Sequence, residues 1–166
     1  MPEERTLLYA AEGEATARLA QALDADLEPL PAVDSPERFE AWRSEALQAT
    51  PRPRIVVAAW NPAPERAEMN SVEADDWRRR FELPYLLWNF ALGAASRRCA
   101  DGGSIVGVVQ SPAVLDAEGW TPELAIGDGV LALVRSVAAA EGVRGVRANL
   151  VTTPIGLVEC EIVAPA

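Results

Sequence analysis

Ile55-Val56-Val57-Ala58-Ala59, running into Trp60-Asn61-Pro62-Ala63-Pro64, is the stretch on which the fold class turns. Five consecutive apolar residues show no polar alternation, as in a parallel strand covered by helices on both faces, where neither face meets water. The asparagine and prolines that follow turn the chain at the strand's carboxyl end. In open α/β sheets that end is where ligands bind. Ser104 to Val109, entered through Gly102-Gly103, repeats the buried-strand pattern.

The rest of the chain alternates around these two strands. Thr6 to Tyr9 is a short strand, and Glu14 to Leu23 a helix with Ala15, Leu19, Ala20 and Leu23 on one stripe. Leu27 to Leu30 is a second strand. Ser35 caps and Pro36 opens the next helix, which directs Phe39, Trp42 and Leu47 inward and stops at Thr50-Pro51-Arg52-Pro53. Glu73 to Arg98 reads as one long helix that Pro84 must kink or divide, since proline lacks an N–H and collides with the preceding turn. A further helix runs from about Pro122 to Glu141 and ends at Gly142-Val143-Arg144-Gly145. Val146 to Val151 and Leu157 to Val163 complete the strands. The alternation predicts one domain over residues 1–166, a three-layer α/β/α sandwich with a mostly parallel sheet and no internal repeat.

Composition excludes more than it proves. The 166 residues contain no histidine and no lysine; all 15 basic residues are arginine. Schiff-base chemistry, a phosphate-binding Walker lysine and the commonest general base and metal ligand are therefore absent. A net charge of −10 disfavours nucleic acid and anionic membrane surfaces as partners, because both require a positive field. Cys99 and Cys160 have neither zinc-site nor disulfide-framework spacing. The acidic start, Met1-Pro2-Glu3-Glu4-Arg5, lacks the basic and apolar regions of a signal peptide, so a cytoplasmic protein is expected.

Three segments in order resemble the short-chain dehydrogenase/reductase (SDR) family. Ile55 to Pro62 is similar to the family's strand ending in Asn-Asn-Ala-Gly. Gly103-Ser104-Ile105-Val106-Gly107-Val108-Val109-Gln110-Ser111 is similar to its Gly-x-Ile-Val-Asn-Ile-Ser-Ser strand. Gly129 to Ala138, followed by Gly145 to Pro154, resembles the helix and strand that end in Arg-Val-Asn-x-Val-x-Pro-Gly. The resemblance implies a shortened Rossmann-like domain. It also implies what is missing: Glu123 and Gly127 stand where the family places its Tyr-x-x-x-Lys pair. Gln110, with Ser111 beside it, takes the strand-end serine's place, and Pro84 that of the asparagine in the tetrad.

The phosphate-cradling turn departs in the same way. Leu8-Tyr9-Ala10-Ala11-Glu12-Gly13-Glu14-Ala15 keeps one glycine where the family has Thr-Gly-x-x-x-Gly-x-Gly, and adds two acids where a pyrophosphate would lie. One strand-helix unit between Tyr9 and Ile55 is expected to be deleted, and little chain follows Pro154 to enclose a substrate. No cofactor is expected to bind.

Several side chains have a functional and a plain reading. Ser111 and Glu123 form an acid-base remnant if Glu123 lies in a closed cleft; otherwise they are a loop serine and a solvated helix-start glutamate. Glu73, Asp75 and Asp76 suit a helix dipole better than a metal. Arg78-Arg79-Arg80 point in three directions and read as a solvated face. Trp77 and Trp88 suit a core or an interface, and Asn61 and Tyr85 a vestigial cleft. The expected function is a catalytically inactive SDR-like subunit, associated with an active SDR-family paralogue in a hetero-oligomer or with itself as a homo-oligomer. The partner-contact candidates are Leu86, Trp88, Leu92, Gly93, Leu133, Val137 and Ala140 on the two long helices. The alternative is a cofactor-independent isomerase or dehydratase using Glu123 and Ser111.

Overall fold

The computed structural model describes residues 5–61, 66–112 and 117–155. Five strands, β1 (Thr6–Ala10), β2 (Ala25–Pro29), β3 (Arg52–Ala58), β4 (Cys99–Ser111) and β5 (Arg147–Pro154), lie side by side in the order β2-β1-β3-β4-β5. Every neighbouring pair is parallel. Helices α1 (Glu14–Ala22), α2 (Pro36–Ala46), α3 (Ala74–Trp77), α4 (Leu83–Arg98) and α5 (Thr121–Glu141) connect them. The expected strand Leu157–Val163 and Cys160 lie outside the described residues.

The doubly buried reading of β3 holds residue by residue, with Ile55, Val56, Val57, Ala58 and Ala59 all under a tenth exposed. Because strand side chains alternate, Ile55 and Val57 enter one core and Val56 and Ala58 the other. The larger core takes Phe39 from α2, Leu87, Trp88, Ala91 and Leu92 from α4, and Ile126, Val130 and Val134 from α5. The smaller one is closed by Leu19 of α1 against Leu8 and Ala10. Helices thus lie on both faces, but unequally: on the α1 side Val106 and Val108 are only half-buried, and Val151 of β5 is 51% exposed.

Two glycines explain themselves sterically. A Cβ at Gly103 would lie 2.6 Å from the Pro53 carbonyl oxygen and 2.7 Å from the Cys99 sulfur, so only glycine lets β4 pass β3 there. Gly145 adopts φ +72° after α5 and donates its N–H to the Gly142 carbonyl at 2.9 Å, a left-handed stop before β5.

Helix ends follow the sequence closely where capping chemistry fixes them. The Ser35 hydroxyl accepts the Arg38 N–H at 3.4 Å and Pro36 opens α2. Leu47, expected inside, is 44% exposed, because α2 ends at Ala46 and Leu47 has already left the buried stripe. The long helix expected from Glu73 to Arg98 keeps its helical hand but is divided. α3 passes into a π-helical turn, Arg78–Glu82, and then α4, whose first turn holds Pro84. The widened turn lies directly before the proline that cannot donate to the ladder.

Trp88 and Leu92, expected on a partner surface, are 1% exposed and belong to the chain's own core. At the far end of the same helix, Arg98 is buried as well. Its NH1 donates to the Tyr9 hydroxyl at 2.7 Å and to Glu28 Oε2 at 2.7 Å, which ties α4 to β1 and β2. Tyr9 is fully buried, and its ring meets Trp42 edge-on at 5.0 Å.

Burial pushes the Tyr9 hydroxyl up from 10.0 to about 12, against the opposing pull of Arg98. A group that holds its proton longer when folded stabilises the fold below its unfolded pKa and loses that contribution as pH rises towards the folded one. Between pH 10 and pH 12, stability is therefore expected to fall by on the order of 2 kcal/mol through Tyr9 alone. Urea titrations of the wild type and Tyr9→Phe across that window check this. The phenylalanine variant starts lower, having lost the Arg98 bond, but should fall less steeply; parallel curves would refute the assignment.

Candidate functional site

The strand order sets the location. From β1 the chain passes through α1 to β2 on one side, while β3 lies on the other, so the loops leaving β1 and β3 diverge and open a crevice at the carboxyl ends of the strands. A cleft of about 660 Å³ occupies this crevice. Its walls are the β1–α1 turn at Ala11 and Glu12, the chain after β2 at Leu30 and Val33, Trp42 of α2, Ala59, Trp60 and Asn61 after β3, and Arg79 and Arg80 of the π turn.

The β1–α1 turn differs from a glycine-rich phosphate loop in its residues, since Glu12 and Glu14 flank its Gly13. Gly13, its one glycine, has extended backbone at φ 173°, and an added Cβ would meet only Thr16 Oγ1, at 3.7 Å. Thr16 ties the turn to itself, its hydroxyl donating to the Ala11 carbonyl at 2.6 Å and contacting the Gly13 carbonyl at 3.0 Å. Glu12 is exposed at the rim of the cleft.

Beside the cleft lies a pocket of about 30 Å³, lined by Asn61, Pro84, Trp88, Gln110, Glu123 and Ile155 among others. The residues expected at the family's reacting positions, Glu123, Gln110 and Pro84, do converge here. The space they enclose is that of one or two water molecules. Gln110 rather than Ser111 lines the pocket with Glu123, and among the described residues the Ser111 hydroxyl meets the neighbouring Pro112 carbonyl, at 3.5 Å. At Gly127 an added Cβ would meet nothing within 4 Å, so no neighbour fills the place the resemblance gives to lysine.

Glu123 is 6% exposed and Arg80 5%. Arg80 NH2 lies 3.2 Å from Glu123 Oε1 and 3.3 Å from Oε2, and Arg80 NH1 is 3.8 Å from Asp76 Oδ2. Neither residue is the solvated group its neighbours in sequence suggested. The π turn is the local cause: of the three successive arginines only Arg80 points inward, while Arg78 and Arg79 stay exposed. A periodic signal was present, because Arg80, Pro84, Leu87, Trp88, Ala91, Ala95 and Arg98 all recur at helical spacing on the buried stripe.

Asp75 and Asp76 stand in the first turn of α3, where acids complement the helix dipole. Asp76 pairs with Arg79 and Arg80. Among the described residues no group of three or more His, Cys, Asp or Glu side chains is gathered so as to hold a metal ion. Asn61 lines the cleft, as expected. Tyr85 does not; its ring packs against Gly129 of α5, where a Cβ would come within 2.5 Å of it, and stacks on Phe81 at 5.7 Å. Trp77 lies on Phe81 in turn, at 4.7 Å. Cys99 is buried, which pushes its thiol pKa up and makes it a poor nucleophile.

No protein-family model and no curated protein sequence matches the chain. Solved structures do. A blue fluorescent protein from a metagenomic library, in complex with NADPH, superposes with a TM-score of 0.63 at 21% identity, over 87% of this chain and 62% of its own. A short-chain dehydrogenase/reductase from Serratia marcescens gives 0.68 at 13%, over 92% and 79%. The chain carries the SDR fold. A bulky-bulky ketone specific alcohol dehydrogenase from Comamonas testosteroni gives 0.65 at 16%, over 94% and 67%. At such identities the likeness establishes architecture only. The chain spans between 62% and 79% of the lengths of these three structures. No helix among the described residues is long and apolar enough to cross a membrane.

The buried pair is expected to behave as a unit. Arg80→Met leaves the Glu123 carboxylate charged in the interior and should cost about 3–5 kcal/mol; Glu123→Leu, which leaves Arg80 beside Asp76, should cost less, and the double variant should lie within about 1 kcal/mol of the parent. Chemical denaturation of the four proteins reads the cycle, and additive losses would show that the two charges do not depend on each other.

Proposed function

We propose that the chain is a catalytically inactive subunit on an SDR scaffold, which joins an active SDR-family oxidoreductase in a mixed oligomer or, without one, pairs with a second copy of itself. One observation carries the reading: the position of the family's tyrosine is held by Glu123, tied to the buried Arg80 beside a pocket of only about 30 Å³. The carboxylate is already engaged by Arg80, so it is not free to take the tyrosine's part in proton transfer. NADPH, which the metagenomic neighbour binds, would meet Glu12 where its phosphates approach a helix start. The rival acid-base reading loses its partner group, since Ser111 is turned to Pro112.

The packing of α4 on α5 supports a partner surface on these two helices. Their seam runs from Tyr85 against Gly129 to the Ser96–Glu141 hydrogen bond. Of the candidates, Gly93 and Ala140 are exposed, and Leu86, Leu133 and Val137 are half-buried. Small exposed residues beside half-buried apolar ones let a second helix pair approach closely, and a self-complementary patch of about 800 Å² per partner is enough for a stable dimer.

The test is light scattering after size exclusion, on the chain alone and co-expressed with a full-length SDR encoded beside it. The expected result is a mixed oligomer that Gly93→Arg combined with Ala140→Arg abolishes while leaving the circular dichroism unchanged. A monomer that captures no such partner, or unaided NADPH-dependent reduction of a carbonyl compound, would overturn the proposal.

A further inference from the structure

We infer that the 660 Å³ cleft at the carboxyl ends of β1, β2 and β3 is a binding site for a small, flat, mostly apolar monoanion of the aromatic-carboxylate class. Size comes first: the volume falls within the range of about 300–1,000 Å³ that small-molecule sites occupy. The walls decide the rest. Trp60 is fixed by its indole N–H, which donates to the Val108 carbonyl at 2.7 Å. Trp42 is held edge-on against Tyr9 at 5.0 Å. Two indole side chains whose positions are set before any ligand arrives, with Leu30, Val33 and Pro84 beside them, favour an apolar aromatic body and spend little entropy on ordering.

Charge at the rim selects one anionic group. Arg79 lines the cleft and is 69% exposed, its guanidinium paired with Asp76. A solvated pair of this kind contributes about 0–1 kcal/mol, so an incoming carboxylate can take the arginine at small cost. Arg80 adds positive charge deeper in the same wall, although its head is engaged by Glu123. Glu12 stands at the opposite turn and opposes a second negative charge, which disfavours phosphates and dicarboxylates. The inference does not require any partner at α4 and α5.

Naphthoate and its neutral counterpart naphthamide, titrated into the full chain by calorimetry, test it, with NADPH as competitor. Naphthoate should bind more tightly than naphthamide. Arg79→Gln should weaken naphthoate about fivefold and Glu12→Gln should strengthen it about twofold, with naphthamide unchanged in both. Both side chains are exposed, so neither variant threatens folding. The Gly93→Arg and Ala140→Arg pair should leave naphthoate binding as it was, which separates this result from the fate of the oligomer. Absence of binding at millimolar concentration, equal affinity for acid and amide, indifference to both variants, or displacement by micromolar NADPH would each overturn the inference.

Discussion

Strand β3 sends large apolar side chains to both faces, and that constraint organises everything around it. Both faces must be kept dry. The chain meets this by placing α1 on one side and α2, α4 and α5 on the other, with β1 and β4 as hydrogen-bonded neighbours. Once β1 lies between β2 and β3, the loops that leave β1 and β3 must diverge, and the cleft is the space between them. The site is thus a by-product of burying five residues.

Much of this architecture was legible in the sequence. Uninterrupted apolar runs give strands covered on both faces, and Ser35-Pro36 and Gly145 mark helix boundaries through chemistry that acts within a few residues. What could not be read locally was the exchange between charge and burial. Arg80 sits in a triplet that looks solvated and Glu123 at a helix start that looks solvated, yet each is buried because the other is there. Only the helical spacing from Arg80 through Trp88 to Arg98 betrays that two arginines share a buried stripe. Trp88 and Leu92 were misplaced for the complementary reason: apolar residues on a long helix suit a core and an interface equally well, and the sheet decides between them.

The pocket at Glu123 was legible by analogy and incomplete by physics. Alignment on the strand ending at Ser111 and on the helix through Arg135 placed Glu123, Gln110 and Pro84 together, and the fold brings them to one pocket. It did not foresee that Arg80 would join them, because the family resemblance assigns nothing to that position. Nor did it foresee the π turn before Pro84, which provides the inward direction. The shape of the β1–α1 turn, closed on itself by the Thr16 hydroxyl, likewise depends on contacts that a pattern of glycines does not record.

A buried pair of opposite charges has a historical consequence. A sequence that carries Arg80 and Glu123 can lose Arg80 alone only by passing through a protein with a charged carboxylate left in its interior, and such an intermediate is several kcal/mol less stable. Replacing Glu123 alone removes the nearer of the two carboxylates that Arg80 meets, Glu123 and Asp76. Changing position 80 first leaves the buried Glu123 carboxylate charged, so the two positions change most readily together. The pair therefore acts as a ratchet: foldability ties any change at position 80 to a change at position 123, whatever chemistry either side chain would otherwise take up.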